Sequence, residues 1–125
     1  MIKIESDGTI YFSRADDRHI LFQANNGEYQ FVRGDVITFR IFNKNGYTDK
    51  ALLEKNITLS EDTKVVDIEI KPEDIIKFCQ QINKPFVCWY SISLNENVIL
   101  GYDDNGAKKF IILPAKGKGE DNANS

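Results

Sequence analysis

A single histidine, His19, and two cysteines, Cys79 and Cys88, are all that this chain of 125 residues has of the side chains that most often hold transition metals. One histidine excludes a site built on two, and neither cysteine has an activating base beside it in the sequence. Two thiols are too few for the dense disulfide framework of a small secreted domain. The expected state is two reduced thiols acting as small apolar side chains, with one disulfide between them as the alternative. Runs of 18 apolar residues are absent, and the opening MIKIESDGTIYF has neither an apolar core of signal-peptide length nor a small-residue cleavage site, so a chain that neither spans a membrane nor is exported is expected. Basic excess is absent too: 16 Lys and Arg stand against 19 Asp and Glu, a formal net charge of −3. Nucleic acid and anionic lipid are therefore not expected partners. No glycine pattern cradles a phosphate and no serine sits in a nucleophile elbow. A protein without catalytic activity or cofactor is expected.

What is present is apolar and aromatic: the hydrophobic fraction is 42%, with eight Phe, five Tyr and one Trp. That excludes wholesale disorder and supplies large side chains for one core of ordinary domain size. The expected organisation is one domain over 1–114 and a tail over 115–125, because KGKGEDNANS at the end has no large apolar side chain.

Short alternating segments separated by turn signals fill the domain. Ile2-Lys3-Ile4-Glu5 and Thr9-Ile10-Tyr11-Phe12 flank Asp7-Gly8, a hairpin signal because both turn positions favour positive φ. Ile20 to Gln23 and Glu28 to Val32 flank Asn25-Asn26-Gly27 and predict a second hairpin. From Val36 to Phe42, Ile37, Phe39 and Ile41 point one way while Thr38 and Arg40 point the other. Leu52, Leu53, Ile57 and Leu59 suit a loop crossing between sheets and then a short strand. Val66, Ile68 and Ile70 alternate with Asp67 and Glu69. Pro72-Glu73-Asp74 predicts a helix start, with proline in the first turn and acids at the positive end of the dipole, running one or two turns to Phe78. Pro85 to Leu94 predicts the longest strand, with Phe86, Cys88, Tyr90, Ile92 and Leu94 on one face. Asn95-Glu96-Asn97 and Asp103-Asp104-Asn105-Gly106 then turn the chain into two final strands, and Pro114 stops the last. This spacing predicts an all-β fold, an antiparallel Ig-like β-sandwich with one short helix.

Two acidic clusters invite a metal reading. Asp16-Asp17-Arg18-His19 concentrates charge in a loop, where such clusters are ordinarily solvated, and Asp103-x-Asn105-Gly106 lacks the downstream glutamate of a calcium loop. No metal site is expected.

Arg33-Gly34-Asp35 is the tripeptide that adhesion proteins present to integrins. Such a tripeptide must protrude on a flexible loop, whereas here apolar strand sequence begins on either flank. A structural turn is expected, with Gly34 supplying an unusual backbone angle and Asp35 bonding a nearby amide. Trp89 either faces outward as a binding anchor or is covered by the tail or helix. With Tyr47 and Tyr102 it forms the candidate interaction surface.

Three stretches, FVRGDVITFRI from Phe31, KVVDIEIKPEDIIKF from Lys64 and PFVCWYSISLNENVILGYDDNGAKKFIILPAKG from Pro85, resemble the small β-sandwich proteins of tailed phages and prophages of Gram-positive bacteria, including the N-terminal domain of baseplate upper proteins. The shared features are the Gly34-Asp35 turn before a strand, the acidic helix start at Pro72-Glu73-Asp74, and the strand Tyr90-Ser91-Ile92-Ser93-Leu94. The hairpin from Ile2 to Phe12, and the lack of a following helical stem, depart from that pattern. The resemblance implies a structural module of a tail or baseplate, made in the bacterial cytoplasm and located in the virion, whose partners are other phage structural proteins or further copies of itself. It carries over no binding residues. The alternative expectation is a carbohydrate-binding sandwich that uses exposed aromatics.

Overall fold

The computed structural model describes residues 3–4, 8–13, 18–24, 27–43, 50–79, 83–100, 102–103 and 106–114. They form strands β1 (Lys3–Ile4), β2 (Ile10–Ser13), β3 (His19–Phe22), β4 (Val36–Phe42), β5 (Leu53–Thr58) and β6 (Val66–Glu69), then helix α1 (Pro72–Ile76) and strands β7 (Phe86–Leu94), β8 (Asn97–Leu100), β9 (Tyr102–Asp103) and β10 (Gly106–Leu113). Tyr47, Asp16-Asp17, Asn25-Asn26, Asp104-Asn105 and the expected tail over 115–125 lie outside the described residues.

One eight-stranded sheet runs in the order β1-β2-β10-β7-β4-β5, with β8 added to β7 and β9 to β10. β3 and β6 form a separate two-stranded ladder. The inner face of the large sheet carries Ile10, Phe12, Ile37, Phe39, Ile41, Cys88, Tyr90, Ile92, Phe110 and Ile112, and they join Ile20, Phe22, Val66 and Ile68 of the ladder and Ile75 of α1 in one core. Phe110 sits at its centre, its ring tilted against Phe12 and edge-on to both Phe39 and Tyr90. Each such ring withdrawn from water stabilises by roughly 2–3 kcal/mol before the entropy of ordering is counted.

The all-β architecture with one short helix is present, and the alternation at Ile37, Phe39, Ile41 and at Val66, Ile68, Ile70 buries all six side chains. The pairing differs from expectation in three places. The large sheet is mixed, not wholly antiparallel, because β10 runs parallel to β2, with Phe110 beside Ile10 and Ile112 beside Phe12. Period-two alternation fixes which face a side chain takes but is satisfied by either strand direction.

The second expected hairpin does not form. β3 pairs with β6 across the ladder, His19 to Glu69 through Phe22 to Val66. The segment after Gly27 contributes only a single bridge, Phe31 to Thr63. Ile20 and Phe22 share a face that matches Val66 and Ile68, whereas from Glu28 to Val32 only Phe31 is buried. Burial of two matched apolar pairs outweighs the local turn signal.

β5 does not cross between sheets. It returns beside β4 as its antiparallel neighbour, from Val36 opposite Thr58 to Ile41 opposite Leu53. It is therefore the terminal strand of the large sheet. The first hairpin forms, β1 against β2 with Gly8 at φ +94°. Ile4 pairs with Ile10, so five residues connect the paired ends where a two-residue Asp7-Gly8 turn was expected, and Asp7 lies outside the described residues. The buried hydroxyl of Tyr90 donates to the Gly8 carbonyl at 2.6 Å and ties that turn to the central strand.

Candidate interaction surface

Arg33-Gly34-Asp35 occupies a tight reverse turn. Asp35 N–H donates to the Val32 carbonyl at 3.0 Å, closing the four residues, and Gly34 sits at φ +94°. Positive φ at the third position is the mark of a type II turn, which glycine enters without steric cost. The turn is bonded on every side. Gly34 N–H donates to the Leu59 carbonyl and Leu59 N–H to the Asp35 carbonyl, both at 2.9 Å. Arg33 N–H donates to Asp62 Oδ1 at 2.8 Å. The Asp35 carboxylate accepts from Val32 N–H at 2.9 Å through one oxygen and from Asn95 Nδ2 at 3.1 Å through the other. Asn95 in turn accepts from Val36 N–H through Oδ1 and donates its own N–H to the Val36 carbonyl. The loop before β4, the end of β5 and the two-residue β7–β8 turn are thus joined at one corner. Asn95 and Glu96 both have positive φ, +48° and +78°, as a primed hairpin turn requires.

Trp89 lies on the outer face of the large sheet, because its neighbours Cys88 and Tyr90 enter the core. It is half-buried, opposite Phe42 of β4 and Lys109 of β10. Two residues before it, Val87 is 43% exposed and faces Ile111 of β10, which faces Tyr11 of β2. Trp89 therefore belongs to an apolar strip of Tyr11, Ile111, Val87 and Phe42. Of the other two predicted aromatics, Tyr47 lies outside the described residues, and of Tyr102 only the backbone, in β9, is described.

Next to that strip the outer face becomes polar and closely bonded. Arg40 Nε donates to Glu54 Oε1 at 2.8 Å, Asn56 Nδ2 donates to Glu54 Oε2 at 3.2 Å, and the Thr38 hydroxyl donates to Asn56 Oδ1 at 2.8 Å. The Arg40 guanidinium, and after it the Asn56 amide, hold the Glu54 carboxyl below its ordinary pKa. This network fixes the outward side chains of β5 on β4.

The opposite face of β5 carries Leu53, Lys55 and Ile57, all half-buried. Lys55 points inward and its ammonium meets Asp74 Oδ2 at 2.6 Å. Asp74 is the third residue of α1, and the same oxygen accepts the Lys71 N–H at 2.8 Å while Asp74 N–H donates to the Lys71 carbonyl, so it caps the helix and holds the strand. Burial alone would raise the Asp74 pKa, but the Lys55 ammonium and the Lys71 amide outweigh it and the carboxyl is held low.

Among the described residues nothing pairs with the far edge of β5. Leu59 directs both N–H and C=O toward the β4 side, and backbone direction alternates along a strand, so Glu54, Asn56 and Thr58 turn their N–H and C=O groups outward. No described residue bonds those groups, and all three residues are exposed. Sequence reasoning missed this edge. Its alternation, LEKNIT, is legible, but strand order in a sheet is not.

The remaining candidates are dispersed. His19 Nδ1 and Asp67 Oδ1 lie 2.8 Å apart on the exposed side of the ladder. Among the described residues no group of three or more His, Cys, Asp and Glu side chains gathers. Both cysteines are buried and unbridged, and Cys88 Sγ donates to the Phe110 carbonyl. Among those residues no helix is long and apolar enough to cross a membrane. Comparison with protein-family models, with curated proteins and with solved structures finds no match.

Proposed function

We propose that this chain is a non-enzymatic interaction module that docks through the open edge of its large sheet, and that its setting is a phage or prophage tail assembly. The edge carries the reading. A six-residue terminal strand without proline or bulge presents unused backbone donors and acceptors, which is how sheets recruit an added strand. The half-buried Trp89 and exposed Val87 give the outer face a second, apolar contact. The tail setting rests on the sequence resemblance alone.

The test is to co-express the chain with the products of its neighbouring genes and to follow co-elution on size exclusion. A stoichiometric complex with a tail protein, lost when Trp89→Ala trims the outer face, is the expected result, while Asn56→Pro tests the β5 edge through self-association. Neighbours unrelated to tails, or co-elution with none of them, would reject the setting. Binding to a glycan array that disappears in Trp89→Ala would favour a carbohydrate-binding module instead.

A further inference from the structure

We infer that the occupant of the β5 edge is a second copy of this chain, paired antiparallel about a two-fold axis through Asn56. This rests on the reading of β5 as a docking edge and adds the partner and the register. Two identical strands related by a two-fold axis always pair antiparallel, and only residues whose backbone groups face outward, Glu54, Asn56 and Thr58, can exchange hydrogen bonds. Those residues restrict the choice. A register centred on Glu54 sets two carboxylates opposite each other, and one centred on Lys55 sets two ammonium groups opposite each other, each destabilising. Centring on Asn56 places Glu54 against Thr58 of the other copy and Lys55 against Ile57, with no like charges opposed. It also uses all three outward residues of both copies, whereas a register moved toward the strand end leaves Glu54 beyond the other strand.

The inner side fits the same register. Leu53, Ile57 and Leu59 are only partly buried by their own core. Pairing about Asn56 sets Leu53 against Leu59 of the other copy and covers the exposed rim of each. Lys55 is the one obstacle, since an inward charge on an edge strand ordinarily blocks pairing because the added strand would bury it unpaired. Asp74 of the same copy already neutralises it, so the charge reaches the interface satisfied. Pairing of one short strand buries little area, and the dimer is expected to be reversible and concentration-dependent.

The experiment is sedimentation of the full chain over a wide concentration range, with three variants. Wild type is expected to pass from monomer to dimer. Asn56→Lys and Asn56→Asp are each expected to dissociate about fivefold more readily, as like charges opposed across the axis require, and an equimolar mixture of the two is expected to recover wild-type association or better. Asn56→Pro removes the outward N–H together with the side-chain bonds to Thr38 and Glu54, and is expected to abolish the dimer, its cooperative melt showing that the fold persists. A wild type that stays monomeric throughout, or a dimer that the mixture does not restore, overturns the inference. Neither result touches co-elution with a tail protein, so the two readings fail separately.

Discussion

Asn95 Nδ2 donates to Asp35 Oδ1 at 3.1 Å, joining two turns that lie 60 residues apart. The same asparagine takes the Val36 N–H, while the same carboxylate takes the Val32 N–H. The Asp35 carboxylate therefore serves its own turn and the other one, while both side-chain bonds of Asn95 go to Asp35 and Val36, where β4 begins. Asn95→Ala also loses a residue that tolerates φ +48°, and is expected to cost about 1–2 kcal/mol. Asp35→Ala is expected to cost about the same. Because the two share a bond, a double-mutant cycle by urea unfolding should return a coupling of about 0.5–1 kcal/mol. A coupling of zero would mean that the corner is not a unit.

Asp74 predicts acid sensitivity. Its folded-state pKa is held below the ordinary value, so the Lys55 pair and the helix cap contribute fully above the unfolded value of about 4 and are lost as pH falls through the lower folded value. Asp74→Asn keeps the shape but removes the charge, and should destabilise by about 1–2 kcal/mol at neutral pH. Urea unfolding of both proteins from pH 7 to pH 2 should show the gap closing below about pH 4. A gap constant across that range would show that the carboxylate charge contributes nothing.

The alternation of β4, β6 and β7 could be read from the sequence because apolar side chains every second residue dictate a face whatever the strand pairs with. The Gly8, Gly34 and Asn95-Glu96 turns could be read because each needs a backbone angle that few residues accept. Which strand lies beside which could not. Ile20 and Phe22 present the same face to Phe31 as to Ile68, and only the competing core decides for β6. Ile10 and Phe12 suit β10 in either direction. The openness of the β5 edge and the Lys55–Asp74 pair follow from this strand order, and so were equally hidden. Trp89 was legible, with Val87, as lying on the face opposite Tyr90, whereas its exposure was left open and its neighbour Phe42 comes from register.

Cys79 and Cys88 are both buried, and burial together with the nearby Cys79 raises the Cys88 thiol far above its ordinary pKa. A protonated, enclosed thiol is a poor nucleophile. Neither should react with a thiol reagent in the native protein, both should react in denaturant, and the intact mass without reductant should equal that of the dithiol. Rapid native labelling of Cys88, or a mass two hydrogens lower, would contradict the packing around Phe110.

Gly34 and Asp35 decide between a turn and an adhesion signal. A Cβ added at Gly34 meets nothing within 4 Å, so any cost of substitution comes from the backbone at φ +94° and not from crowding. Gly34→Ala is expected to lower stability by about 1 kcal/mol, and the β-branched Gly34→Val by more. Asp35 has both carboxylate oxygens engaged inside the protein, by Val32 and by Asn95, and a receptor that grasps this carboxylate would have to break those bonds first. Asp35→Glu misplaces the same two acceptors and should cost about 0.5–1.5 kcal/mol. Thermal melts of these variants, set beside adhesion of integrin-bearing cells to the wild type, test both halves. The expected result is lowered melting temperatures and no adhesion that depends on Asp35. Adhesion that disappears in Asp35→Glu, with an unchanged melt for Gly34→Val, would instead make the tripeptide a ligand and leave its hydrogen bonds without a structural purpose.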